Sequence, residues 1–126
     1  MKQILKTDNA PKALGPYSQG IKAGKMVFLS GQLGLDPKTN DFVNGGISEQ
    51  TRQTLTNLKS VMESDGLTLG MIVKTTVFLK DLNDFQAMNL IYGEFFKTKP
   101  PTRSTVQAGA LPRGGLIEID AIAILE

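Results

Sequence analysis

The 126-residue chain contains no histidine and no cysteine. A Ser-His-Asp triad, a histidine base, a thiolate nucleophile and Cys-ligated zinc are therefore excluded, as are most zinc and iron sites. Acid–base work falls to carboxylates, lysine, tyrosine or water held by the backbone. Arg103 follows Pro100-Pro101-Thr102 and enters a run of small and β-branched residues, Ser104-Thr105-Val106. A guanidinium at a strand start, behind a rigid turn, can grip a carboxylate through two parallel hydrogen bonds. The competing role is that of a solvated arginine paired with a surface acid. Glu118 has aliphatic neighbours on the last strand, where a carboxylate must be paired, hydrogen-bonded or functional. It either positions a water or closes an ion pair. Ser30-Gly31 ends the MVFLSG run, where a glycine lets a ligand approach the backbone or simply turns the chain. Tyr17 is held behind Gly15-Pro16, as a pocket wall or as an ordinary half-buried ring. Asn89 adjoins Met88 in an apolar helical stripe, where a polar group usually caps a backbone or bridges a loop.

These residues need elements to position them. Lys2 to Lys6 alternates polar and apolar residues and predicts a short edge strand. Tyr17–Ala23 and Met26–Ser30 read as strands joined at Gly24-Lys25. Asp36-Pro37 through Asp41 is a turn cluster. Thr51, Leu55, Leu58 and Met62 make one stripe of a helix over 48–64, with Ser48 as its cap and Gly66 after its end. Val73–Leu79 is β-branched and apolar on both sides, the mark of a buried central strand. A second helix spans 84–96, with Phe85, Met88, Tyr92 and Phe95 on one face and Pro100-Pro101 stopping it. Ser104–Ala108 and Leu116–Leu125 are the last strands.

The order is β-β-β-α-β-α-β-β, an α+β fold in one domain over residues 1–126. Right-handed crossovers put both helices on one face of a single sheet and leave the other face bare. On the last strand Ile117, Ile119, Ala121, Ala123 and Leu125 share one face. Glu118, Asp120, Ile122 and Ile124 share the other. Two isoleucines on a bare face call for a cover, either another copy of the chain or a loop or the first strand.

Bulk properties narrow the partners. The net charge is +2 and the lysines and arginines are scattered, so the basic stripe of a nucleic-acid binder is missing. The N-terminus lacks the apolar core of a signal peptide, and no apolar run approaches the ~20 residues that span a bilayer. A cytoplasmic location is the expectation.

GPYSQG (15–20), MVFLSGQLGLDP (26–37), QTRQTLTNLKSVMESDG (50–66), VKTTVFLKDLNDFQAMNLIYGEFF (73–96), PPTRSTVQ (100–107), ALP (110–112) and IEIDAIAIL (117–125) together resemble the Rid family, also called YjgF. The resemblance implies a chorismate-mutase-like fold, assembled as a homotrimer whose sheets form an inner barrel with the helices outside. It implies three sites in clefts between subunits. Members of the family deaminate 2-iminopropanoate and 2-iminobutanoate, or their enamines, to 2-oxo acids and ammonia, disposing of reactive products of pyridoxal-phosphate enzymes. On matching positions Arg103 would bind the substrate carboxylate and Glu118 would activate the attacking water. Tyr17, Ser30, Gly31, Asn89 and Thr105 would line the pocket. Thr105 stands where many members have cysteine, and Ala110 where many have a basic residue. Since the reaction needs no thiol nucleophile, Thr105 is expected to serve by packing or through its backbone. The expected enzyme is a hydrolase that uses no metal and no cofactor. The alternatives are a non-catalytic regulatory module binding small carboxylates, a ribonuclease, and a purely structural or chaperone-like oligomer.

Overall fold

The computed structural model describes residues 1–126. Its strands are β1 (Lys2–Leu5), β2 (Gly20–Ala23), β3 (Met26–Leu33), β4 (Ile72–Leu79), β5 (Thr102–Gln107) and β6 (Ile117–Ile124). The helices are α1 (Ile47–Glu63), between β3 and β4, and α2 (Phe85–Phe95), between β4 and β5. The element order is the one the patterning predicts. The six strands form one sheet in the order β1-β2-β3-β6-β4-β5. All neighbours are antiparallel except β4 and β5, which run parallel and are joined by the α2 crossover.

The period-2 alternation of β6 sorts its residues. Ile117, Ile119, Ala121 and Ala123 are buried with Val27 and Leu29 of β3 and Val77 and Leu79 of β4. Leu55, Leu58, Val61 and Met62 of α1 and Met88 and Tyr92 of α2 complete this core. Burying an aliphatic side chain contributes roughly 1.5–3 kcal/mol, so this one face carries most of the fold's hydrophobic stabilisation.

Several boundaries depart from the sequence reading. Helix α1 is capped by Gly46, not Ser48. The Glu49 carboxylate accepts the Gly46 N–H at 2.9 Å, the reciprocal bond of a capping box, while glycine has no side-chain oxygen to accept from the helix's own first N–H groups. Gly66, at φ 72°, ends the last turn as expected, its N–H reaching the Glu63 carbonyl at 3.0 Å. Strand β2 starts at Gly20 rather than Tyr17, because Gln19 turns its side chain inward to hold the preceding loop. Strand β3 runs on to Leu33 through a bulge. The stripe of α2 buries Met88, Ile91 and Tyr92 fully, with Phe85 and Phe95 only partly covered.

The face of the sheet away from the helices is bare. Met26 pairs with Ile124 and Phe28 with Ile122 across β3 and β6. Met26, Phe28 and Ile124 are exposed there, as is Val106, level with Phe78 of β4. Neither a loop nor β1 covers them. No helix is long and apolar enough to cross a membrane.

Candidate functional site

Glu118 stands on the bare face of β6, between inward-facing Ile117 and Ile119. The β3–β6 ladder breaks between Leu29 and Gln32, so Ser30 and Gly31 have no partner on β6. This is a β-bulge, which frees backbone and re-aims side chains beside a site. The Glu118 carboxylate lies against Gly31, in space that a Cβ there would occupy. Only glycine fits. Burial is the main cause pushing the Glu118 pKa up, and the like charge of Asp120, two residues on along the same face, pushes the same way.

The rest of this cleft comes from loops. Buried Gln19 accepts the Thr7 N–H at 2.8 Å and donates to the carbonyls of Thr7, Ala10 and Pro11 at 3.1, 3.3 and 2.7 Å. The Ser30 hydroxyl donates to the Ser18 carbonyl at 2.6 Å. Together they seat the loop that carries Lys12, Leu14 and Tyr17 beside the bulge. The result is a cleft of about 540 Å³ that Tyr17, Ser30, Gly31 and Glu118 line, with Asn40, Pro112 and Arg113 on further loops.

Arg103 lies elsewhere. It is the second residue of edge strand β5 and stands in register with Thr75 of β4, on the helix side of the sheet. Its guanidinium carbon sits 4.7 Å from the ring centre of Tyr92 and 5.5 Å from that of Phe85, both on α2. Such contacts stabilise a cation by about 0.5–2 kcal/mol. The Tyr92 hydroxyl is fixed by Thr75 Oγ1 at 2.7 Å. Burial raises the Tyr92 pKa despite the Thr75 bond and the Arg103 charge, so the ring stays neutral at ordinary pH. Asn89, Tyr92, Phe96, Pro101 and Arg103 line an open cleft of about 500 Å³. The Asn89 Oδ1 is buried without a hydrogen-bond partner. Asn89 therefore caps no backbone through that oxygen, against the usual expectation for its position. A buried acceptor left unpaired is costly and points to a missing donor.

The expected site residues thus fall into two groups. Tyr17, Ser30, Gly31 and Glu118 meet in one cleft, and Arg103 and Asn89 in another. Arg103 projects from the helix face of β5 and Glu118 from the bare face of β6, so one chain does not bring them together. Thr105 shares the Arg103 face of β5, in register with Val77, and lines neither cleft. Arg103 forms no ion pair, which removes the surface-pair role. The same holds for Glu118.

The family model described as Endoribonuclease L-PSP matches residues 7–125. A RutC family protein of Pyrococcus horikoshii is 50% identical over 126 residues, the whole of both chains. The chain belongs to the Rid family, also called YjgF. Among its Rid relatives, human 2-iminobutanoate/2-iminopropanoate deaminase is 41% identical over 124 residues, which is 98% of this chain and 90% of the human one. The crystal structure of E. coli TdcF with bound serine superposes with a TM-score of 0.94 at 42% identity, covering 98% of this chain and 99% of that one.

This Rid chain uses residues that sequence reasoning passed over. Tyr92 and Phe85 looked like plain core positions of α2, yet their rings are the shelf under Arg103. Gln19 carried no signal beyond its place in GPYSQG, yet its amide organises the loop bearing Tyr17. A polar residue next to a strand, with backbone carbonyls clustered upstream, is visible only after folding. No group of three or more His, Cys, Asp or Glu side chains is placed to hold a metal ion.

Proposed function

We propose that this Rid protein hydrolyses 2-imino acids such as 2-iminopropanoate and 2-iminobutanoate, or their enamine forms, to 2-oxo acids and ammonia. It works as a homotrimer with each site shared between two copies. The observation that carries the reading is the split itself. One cleft holds a carboxylate with a raised pKa and no cation partner, and the other holds a cation on an aromatic shelf beside an unpaired amide oxygen. The first cleft has no Arg103 and the second no Glu118, and they lie on opposite faces of one chain. A second copy seated on the bare apolar face supplies the missing half in trans.

The chemistry follows from that assembly. The Arg103 fork holds the substrate carboxylate and so fixes the adjacent imine carbon. The Glu118 anion takes a proton from water as the water oxygen bonds to that carbon, and the C=N electron pair of the iminium moves to nitrogen. Protonated Glu118 returns the proton to the amine of the resulting carbinolamine. The C–N bond breaks and ammonia leaves as the C=O bond forms, the hydroxyl proton passing to the Glu118 anion and from it to the ammonia. The sum is iminium plus water giving 2-oxo acid plus ammonium. One positioned acid–base group typically supplies ~10²–10⁴-fold, enough for a reaction that proceeds unaided in water. A ribonuclease reading finds no basic stripe to support it. A carboxylate-binding regulatory module would keep Arg103 but would not need Glu118.

The test is complementation. Arg103→Ala and Glu118→Gln are each expected to be inactive in ammonia release. Unfolded together and refolded as mixed trimers, they should regain activity at roughly a quarter of the sites, where an intact Arg103 meets an intact Glu118 from the neighbouring copy. If mixing restores nothing while mixed trimers form, the shared site is wrong. If Glu118→Gln alone retains full turnover, the water is activated elsewhere.

A further inference from the structure

The Glu118 cleft holds more cation than the proposed reaction uses. Lys12 and Arg113 both line it, and neither touches Glu118. Lys12 is exposed, on the loop that Gln19 seats, and makes no ion pair. Arg113 is held in place. Its backbone has φ 58°, uncommon for a residue with a side chain, within the short 3₁₀ turn Pro112–Gly114. Its Nη1 donates to the Asn40 carbonyl at 2.6 Å, and its guanidinium carbon lies 5.7 Å from the Phe42 ring centre. Its one acidic neighbour, Asp41, is 3.5 Å away and mostly in solvent, so that pairing is weak. An arginine has five donors, and these contacts leave several unused.

We infer that Lys12 and Arg113 form a second anion site in this cleft, and that the chain takes 2-imino dicarboxylic acids. This rests on the deaminase reading for its first carboxylate. With Arg103 of another copy holding that group and Glu118 facing the imine carbon, the remaining direction open to the substrate is its side chain. The cleft, at about 540 Å³, has more room than a four-carbon acid fills. A side chain ending in a carboxylate would bring the complementary charge to two cations that the protein itself leaves largely unneutralised. Glu118 does not serve that role. Neither cation pairs with Glu118, so both are free to meet a second charged group of the ligand. The reaction is unchanged: the iminium of the dicarboxylic acid plus water gives the 2-oxo dicarboxylic acid plus ammonium.

The experiment compares 2-oxoglutarate with 2-oxobutanoate as bound products by calorimetry. It also compares the corresponding imines, released in place by a glutamate oxidase or an L-amino-acid oxidase, as substrates. The intact protein is used beside Lys12→Gln, Arg113→Gln and the double variant. The dicarboxylate should bind the wild-type protein more tightly, and the double variant should lose about tenfold of that preference, roughly one charge-assisted contact. Binding and deamination of the four-carbon monocarboxylate should stay within about twofold across the variants. Equal affinity of the wild type for the two products overturns the inference and leaves the deaminase reading standing. A parallel loss for both ligands also overturns it, since Arg113 would then be holding the first carboxylate. If neither imine is deaminated, the deaminase reading falls, and the calorimetric preference with its loss in the double variant still decides the second anion site.

Discussion

Glu118 is half-buried beside a like charge and forms no ion pair, features that point to function. Both disfavour the anion, so its pKa lies above the usual glutamate value. If the anion is the base, kcat/KM falls as the pH drops through that raised value, and the acid limb lies above the range of an ordinary glutamate. Asp120→Asn removes the smaller of the two causes and should move the limb to lower pH. Glu118→Gln should abolish the limb and lower turnover by ~10²–10⁴-fold, while 2-oxobutanoate still binds. Stability responds to pH in the opposite sense to activity. A carboxyl whose folded pKa is raised stabilises the fold below its unfolded pKa, and that contribution is lost as the pH rises through the folded value. Glu118→Gln should therefore be no less stable than wild type at pH 7, read as the urea midpoint, and its advantage should vanish in acid. An acid limb that ignores both substitutions would remove Glu118 from the chemistry.

At the scale of elements, the pairing of α2 with β5 decides how well Arg103 is aimed. A guanidinium on an exposed edge strand would sample many rotamers, and the rings of Tyr92 and Phe85 restrict it to one side. Thr75 in turn fixes the Tyr92 hydroxyl from the neighbouring strand β4. Tyr92→Phe keeps the ring and should bind 2-oxobutanoate nearly as wild type does. Tyr92→Leu loses the ring face and should raise the product Kd and KM by about 3–30-fold, with kcat less affected. In a double-mutant cycle with Arg103→Lys the two losses should be less than additive, because both remove the same contact. Full additivity in folded variants would make Tyr92 a packing residue only. The bulge at Ser30-Gly31 is the corresponding device beside Glu118.

For the molecule as a whole, the bare sheet face is the unsolved surface of the single chain. Met26, Phe28, Ile122 and Ile124 form an apolar patch on strands that could have carried polar residues at no cost to the core. A trimer that buries them would also join the two clefts, which ties assembly to activity. Light scattering should report three chain masses for the wild type. Ile122→Lys should give folded monomers by circular dichroism, inactive although neither cleft loses a lining residue. A stable monomer with full activity would mean that one chain completes the site by itself.

Much of this was legible in the residues. The 3.6-residue stripe of α1, the alternation of β6 and the all-apolar β4 determine the element order and the face each strand buries, because burial follows side-chain period. The lack of histidine and cysteine limits the chemistry before any fold is known. Arg103 and Glu118 could be picked out by type and context, though pattern alone could not separate them from ion-pair residues. Tertiary structure decided what depends on pairing between distant segments. The register between β3 and β6 makes a bulge of Ser30-Gly31 and sets Glu118 against it. The α2 crossover brings Tyr92 under Arg103, some ten residues away in sequence. Arg103 and Glu118 stand on opposite faces because register sets Arg103 level with Thr75 of β4 and Glu118 level with Phe78, and side chains alternate along a strand, while the order β3-β6-β4-β5 separates them laterally. That order is settled by the summed contacts of the whole sheet, and no local stretch of residues encodes it.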